Sequence, residues 1–178
     1  MEDYNLRYPI GEFDKPAVIT IPVLENWIET IGSFPGFLGL EVVMLTDEQL
    51  DTPYRTGGWT IRQVVHHCAD SHMNAFARFK FALTEENSVI KPYKEALWAE
   101  LYDSRSLPVA SSLSILKGLH QRWYQLLKSL DEASLKRKYI HPERGQEFAL
   151  DVAIGMYAWH SSHHLAHIKS IKRRMHWK

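Results

Sequence analysis

Trp159-His160-Ser161-Ser162-His163-His164-Leu165-Ala166-His167 places four histidines within eight positions near the end of the chain. In an α-helix, at about 100° per residue, all four share one face. His160 and His164 are one turn apart, the spacing at which two imidazoles of one helix can bind one metal ion. The face is otherwise apolar, with Ala153, Met156 and Tyr157 ahead of the cluster and Ile171 after it. Polar rings inside an apolar stripe need partners, because burying an unpaired polar group is costly. A metal ion is the partner that engages several neutral imidazoles at once.

The histidine helix closes a series of amphipathic stretches. Thr60-Ile61-Arg62-Gln63 is a capping box, in which Thr60 and Gln63 satisfy each other's backbone donors and start a long helix. Its apolar face is Ile61, Val64 or Val65, Cys68, Ala75 or Phe76, Phe79 and Leu83. A polar line of Gln63, His67, Ser71, Asn74 and Arg78 runs along the same helix, as either a solvated face or the wall of a wet pocket. An earlier helix begins at Ile21-Pro22, with Thr20 as its cap and Val23, Trp27 and Ile31 on one face. Gly32 to Gly39, with Pro35 between them, are expected to break or kink it. A third helix follows Pro108, with Ile115 or Leu116, Leu119, Trp123, Leu126 or Leu127, and Leu130 as its core side. Residues 1–19 are expected to be irregular, and 46–58 and 87–94 to be loops. A short helix is expected from Glu95 to Tyr102. Between Lys136 and Leu150, His141-Pro142-Glu143-Arg144-Gly145 suggests a small hairpin or an ordered loop. The natural packing of these stripes is an all-α four-helix bundle, residues 1–178 forming one domain behind an irregular N-terminal segment.

Composition removes several function classes. Lysine plus arginine balance aspartate plus glutamate at 21 each. A chain of zero net charge offers no field for nucleic acid. The basic run Lys169, Lys172, Arg173, Arg174 and Lys178 complements the negative end of the final helix. The single cysteine, Cys68, excludes an internal disulfide, lies on an apolar face and fits a reducing compartment. No signal-type apolar core opens the chain, and no run approaches the ~20 apolar residues of a membrane span. The expected location is the cytoplasm, away from membranes.

Several familiar metal sites are excluded by inspection. The chain has no His-Glu-x-x-His and no Glu-x-x-His, so zincin and ferritin-like di-iron signatures are absent. One cysteine cannot build a Cys-rich zinc or iron–sulfur site. A mononuclear, histidine-rich site remains, with His160 and His164 from one helix and a third ligand from elsewhere. The second long helix offers His66, His67 and His72, and helical phase alone does not choose between His66 and His67. His66 can also reach Asp70 one turn on. Three histidines with an open coordination position form the catalytic pattern.

Gly58-Trp59-Thr60-Ile61-Arg62-Gln63-Val64-Val65-His66-His67 resembles the first signature of the DinB-like bundle superfamily, and His160, His163 and His164 match its His-x-x-His-His signature. Arg7-Tyr8-Pro9-Ile10-Gly11-Glu12-Phe13, and Asp70-Ser71-His72-Met73-Asn74 with Arg78-Phe79-Lys80, are similar to the YfiT-like branch. The resemblance covers essentially the whole chain. It implies His67, His160 and His164 as ligands of one divalent metal, Zn²⁺ first and Ni²⁺, Mn²⁺ or Fe²⁺ as alternatives. His163 and His167 would then orient ligands or substrate. Members of this branch are described as metal-dependent hydrolases and bacillithiol S-transferases. The reaction expected here is transfer of a low-molecular-weight thiol to an electrophile. Hydrolysis by a metal-activated water is the alternative, with Asp70 as candidate base, and a non-catalytic metal-binding bundle is the second. Asn74 and Arg78 are expected to bind substrate, Arg78 by gripping a carboxylate. The expected partners are a small-molecule substrate and a second copy of the chain.

Overall fold

In the computed structural model, residues 2–143 and 145–177 are described; Arg144 and Lys178, named above, lie outside them. The elements in chain order are α1 (Glu2–Arg7), α2 (Ile21–Val42), α3 (Asp47–Leu50), α4 (Ile61–Thr84), α5 (Glu95–Trp98), α6 (Tyr102–Ser106), α7 (Ala110–Lys128), α8 (Glu132–Leu135), β1 (Lys138–His141), β2 (Gln146–Ala149) and α9 (Leu150–Arg174). The long helices α2, α4, α7 and α9 form a four-helix bundle. In it α2 packs on α7 and α9, and α4 packs on the same two. So α2 and α4, consecutive among the long helices, stand diagonally across the bundle. No helix among the described residues is long and apolar enough to cross a membrane.

Local chemistry sets the phase of α4. The Thr60 hydroxyl accepts from the Gln63 N–H at 3.1 Å, and Gln63 Oε1 accepts from the Thr60 N–H at 2.9 Å. Gln63 Nε2 also donates to the Ala99 carbonyl at 2.8 Å, which ties the capped end to the segment after α5. Next to the cap, buried Arg62 donates to Asp47 and Asp51 at 2.7 and 2.6 Å and to the Leu107 carbonyl at 3.1 Å. Two turns of helix from this anchored start lead to His67.

Several expectations are corrected. The N-terminal segment opens with α1, and residues 47–50 form α3 behind a second capping box, Thr46 with Gln49. Residues 95–106 form two short helices where one was expected. Thr20 occupies the N-cap of α2 but makes no side-chain cap bond. The helix runs through Pro35 to Val42, because tertiary packing of Ile31, Phe34 and Leu38 outweighs one missing backbone bond. The hairpin expected between Lys136 and Leu150 is present, β1 pairing antiparallel with β2 from Lys138 opposite Ala149 to His141 opposite Gln146. Residues 88–90 bond to it through Ile140, whose N–H donates to the Ser88 carbonyl at 2.8 Å and whose carbonyl accepts from Ile90 at 3.0 Å.

The apolar interior is divided in two. One cluster holds Ile28, Ile31, Phe79, Trp123, Leu127, Leu150 and Ile154. The other holds Phe34, Leu38, Val42, Ile61, Val64, Val65, Cys68, Leu116 and Ile168. On α4, α7 and α9 the sequence between the two clusters is occupied by histidine: His72, His120 and the run from His160 to His167. The bundle therefore carries an imidazole layer across its middle. Gly155 lets α9 approach Trp27 of α2, since a Cβ there would meet the indole ring at 2.7 Å.

Candidate metal centre

His67 of α4 and His160 of α9 meet with their Nε2 atoms 3.2 Å apart. Two Zn–N bonds of about 2.0–2.1 Å at a tetrahedral angle span about 3.3–3.4 Å. His164, one turn beyond His160, completes a trio whose donor atoms all lie within 4.8 Å of one another. All three rings are neutral donors. Burial pushes His67 down to about 4 and holds His160 and His164 well below the usual imidazole range, and the neighbouring imidazoles add to it for His160 and His164. The fit of these residues to a divalent ion therefore rests on donor spacing and donor chemistry, three rings that burial keeps uncharged.

A second trio, His163, His164 and His167, has the same spread and shares His164. Two of its members have other contacts, one of them a hydrogen bond. His167 Nε2 donates to the Arg7 carbonyl at 3.0 Å, and its ring stacks on Tyr54 with centroids 3.9 Å apart. His163 stacks on Trp159 at 4.5 Å. The Nδ1 atoms of His163, His164 and His167 are buried without a hydrogen-bond partner among the described residues. Burial, then the neighbouring His167, lowers His163 to about 3.

The other two candidates for the third ligand are committed elsewhere. His66 Nε2 donates to the Leu107 carbonyl at 3.1 Å and His66 Nδ1 accepts from the Ser112 hydroxyl at 2.7 Å, on the α7 side. His72 is fully buried, with Nδ1 2.8 Å from His120 Nε2 and Nε2 3.0 Å from His160 Nδ1. Cys68 is buried, with its thiol pushed up by desolvation, so it is an inert core residue.

A cavity of about 480 Å³ opens over the cluster. His67, His160 and His164 lie in its wall with Ser71 and Arg78 from α4, so this part of the polar line faces a pocket. Arg78 Nη1 donates to the Tyr157 hydroxyl at 3.1 Å, while its Nε is buried without a partner. Asn74 stands apart: its amide donates to the Asp70 carbonyl at 2.8 Å on its own helix, and it does not line the cavity. Asp70 does not line it either. Burial, then the charge of Asp103, raises the Asp70 carboxyl to about 6.

Other parts of the chain, separated from the histidine run in sequence, complete the wall. Arg7 and Tyr8 come from the N-terminal segment, Tyr54 and Trp59 from the turn before α4, Pro92, Tyr93 and Glu95 from the segment after α4, and His141 and Glu143 from the hairpin. The Trp159 indole donates to the Gly11 carbonyl at 3.1 Å, so residues 7–11 strap across the histidine face of α9. Trp59 packs against His67 with centroids 4.6 Å apart. Tyr93, Glu95, His141 and Glu143 escaped the sequence reading because nothing in their local pattern distinguishes them from loop residues.

A diagonal four-helix bundle with a histidine trio contributed by two of its helices defines the class, and the chain belongs to the DinB superfamily, whose model matches residues 40–168. A Bacillus mycoides protein named "putative metal-dependent hydrolase" is 54% identical over 173 residues, spanning 97% of this chain and 99% of its own. A protein from Bacillus thuringiensis subsp. konkukian with the same description has the same identity and coverage. Among solved structures, YfiT from Bacillus subtilis superimposes with a TM-score of 0.95 at 48% identity, covering 98% of this chain and 99% of that one. YfiT is described as "a probable metal-dependent hydrolase with an unusual four-helix bundle topology".

Proposed function

We propose that this protein is a metal-dependent enzyme that holds one divalent ion, Zn²⁺ in the first instance, between His67, His160 and His164. The observation that carries the reading is the 3.2 Å approach of two neutral Nε2 atoms in the wall of a cavity wide enough for a small substrate. Ni²⁺, Mn²⁺ and Fe²⁺ are accommodated by imidazole ligands as well. Held by three uncharged ligands, such an ion keeps its full charge and supplies Lewis-acid activation, lowering the pKa of water to about 7 or keeping a thiol ionised.

The chain's own residues do the rest. Trp59 and Tyr54 pack against the ligand rings and their neighbours and exclude bulk water from that side. Burial keeps the Tyr93 hydroxyl protonated well beyond neutral pH, so it serves as a hydrogen-bond donor to substrate. Arg78, in the cavity wall, supplies a guanidinium that receives an anionic group.

Hydrolysis of a small anionic substrate is the reaction we place first. It is supported by the descriptions of the relatives and by the carboxylates of Glu95 and Glu143 in the cavity wall, which provide the proton acceptor a hydrolase needs. Thiol transfer is the second reading, favoured by the two arginines Arg7 and Arg78 in the same wall, which suit a carboxylate-bearing thiol. The test is elemental analysis of protein isolated without added metal, followed by parallel ester, amide and thiol-conjugation assays. Protein that carries no metal and takes none up refutes the reading. Metal-dependent conjugation without hydrolysis selects the second reaction.

A further inference from the structure

His120 belongs to no motif, yet it is buried in the bundle interior at 1% exposure and is bonded at both nitrogens. Its Nδ1 lies 2.6 Å from the Ile31 carbonyl of α2. A carbonyl oxygen only accepts, so His120 Nδ1 carries the proton. A neutral imidazole has one donor and one acceptor, so His120 Nε2 is the acceptor and His72 Nδ1, 2.8 Å away, is the donor. The same rule makes His72 Nε2 the acceptor for His160 Nδ1–H at 3.0 Å. His160 Nε2 is left as a bare lone pair, and it is the atom that faces His67. Burial keeps every member neutral at pH 7, His120 being held down to about 4 and His72 and His160 lower than the ordinary value.

We propose that His120 and His72 are positioning residues that lock His160 into the Nδ1–H tautomer and so aim its Nε2 lone pair into the metal centre. Metal-bound histidines generally donate their second N–H to a carboxylate or a carbonyl. Here the carbonyl acts at a distance, through two intervening rings. Pro35 completes the device: it has no N–H to give the carbonyl four residues back, which is that of Ile31. The proline inside α2 leaves that carbonyl without its helical donor, and His120 takes the place. His72 and His120 are 0% and 1% exposed, so bulk water does not satisfy their rings in the other tautomer.

The proposal rests on the metal reading for its purpose but not for its first test. Long-range ¹⁵N–¹H spectra of the metal-free wild-type protein should show His120, His72 and His160 each protonated at Nδ1. A proton on Nε2 of His160 overturns the lock. Zn²⁺ affinity, read by competition with a chromophoric chelator, should fall about tenfold to a hundredfold in His72→Leu. His72→Gln should recover most of it, because the amide oxygen accepts from His160 while the amide NH₂ donates to His120. Thermal unfolding of both variants checks that they fold. Unchanged affinity in a folded His72→Leu overturns the positioning role, and so does equal loss in a folded His72→Gln. Wild-type protein that shows the Nδ1–H tautomers and binds no Zn²⁺ supports the lock and defeats the metal reading.

Discussion

Lowering the pH of the metal-free protein from 7 to 5 should remove a large part of its stability. Burial depresses His67, His120 and His167 to about 4, whereas the unfolded chain titrates near 6.5. The folded pKa lies below the unfolded one, so as the pH falls the unfolded state takes up protons first. The histidines' contribution is complete above about pH 6.5 and is lost as the pH falls towards 4. At pH 5 each of the three costs about 2 kcal/mol relative to pH 7, about 5–6 together. Asp70 opposes this: its folded pKa is raised to about 6, so it protonates first when folded and returns about 1 kcal/mol. These three alone win by about 4 kcal/mol, and His163, held down to about 3, acts in the same direction, against a total stability of about 5–15 for a typical domain. Urea unfolding followed by fluorescence of the six tryptophans should show the midpoint falling by about 2 M. A midpoint that moves by less than about 0.3 M would mean that the imidazole layer is not buried in neutral form, and the reasoning fails.

His164→Ala should abolish stable Zn²⁺ retention after dialysis, and His163→Ala should keep it; the reverse pattern, read by elemental analysis, would assign the metal to the other trio. Gly155→Ala should cost about 1–3 kcal/mol in urea unfolding, because the new methyl meets the Trp27 ring at 2.7 Å, and an unchanged midpoint would show that α2 and α9 part freely. Arg78→Met should raise KM for an anionic substrate about tenfold to a hundredfold with the metal retained, the cost of one charge-assisted contact. A KM equal to that of the wild type would remove Arg78 from the substrate site.

The sequence by itself determined what depends on neighbours a few residues apart. The capping box at Thr60 starts α4, the 3.6-residue stripes mark the four long helices, and the one-turn spacing of His160 and His164 puts two imidazoles side by side. These are short-range regularities, legible wherever a helix is continuous. The choice among His66, His67 and His72 is of another kind. From the residues alone it stayed open, because all three lie within two turns of α4 and their fates depend on which helix each one meets. Only tertiary packing sends His66 to Ser112 on α7, His72 to His120 and His67 to His160. Pro35 shows the same division. Locally it forecasts a broken helix, but packing of the flanking apolar residues carries α2 through it and turns the missing N–H into an opening for His120. Asn74 and Arg78 share one polar line and one helix, yet only Arg78 reaches the cavity, because the lining of a pocket is decided by the elements facing it. The diagonal order of the bundle, the hairpin and the N-terminal strap bring those elements together, and contacts between residues 90 to 160 positions apart leave no periodic trace in the chain.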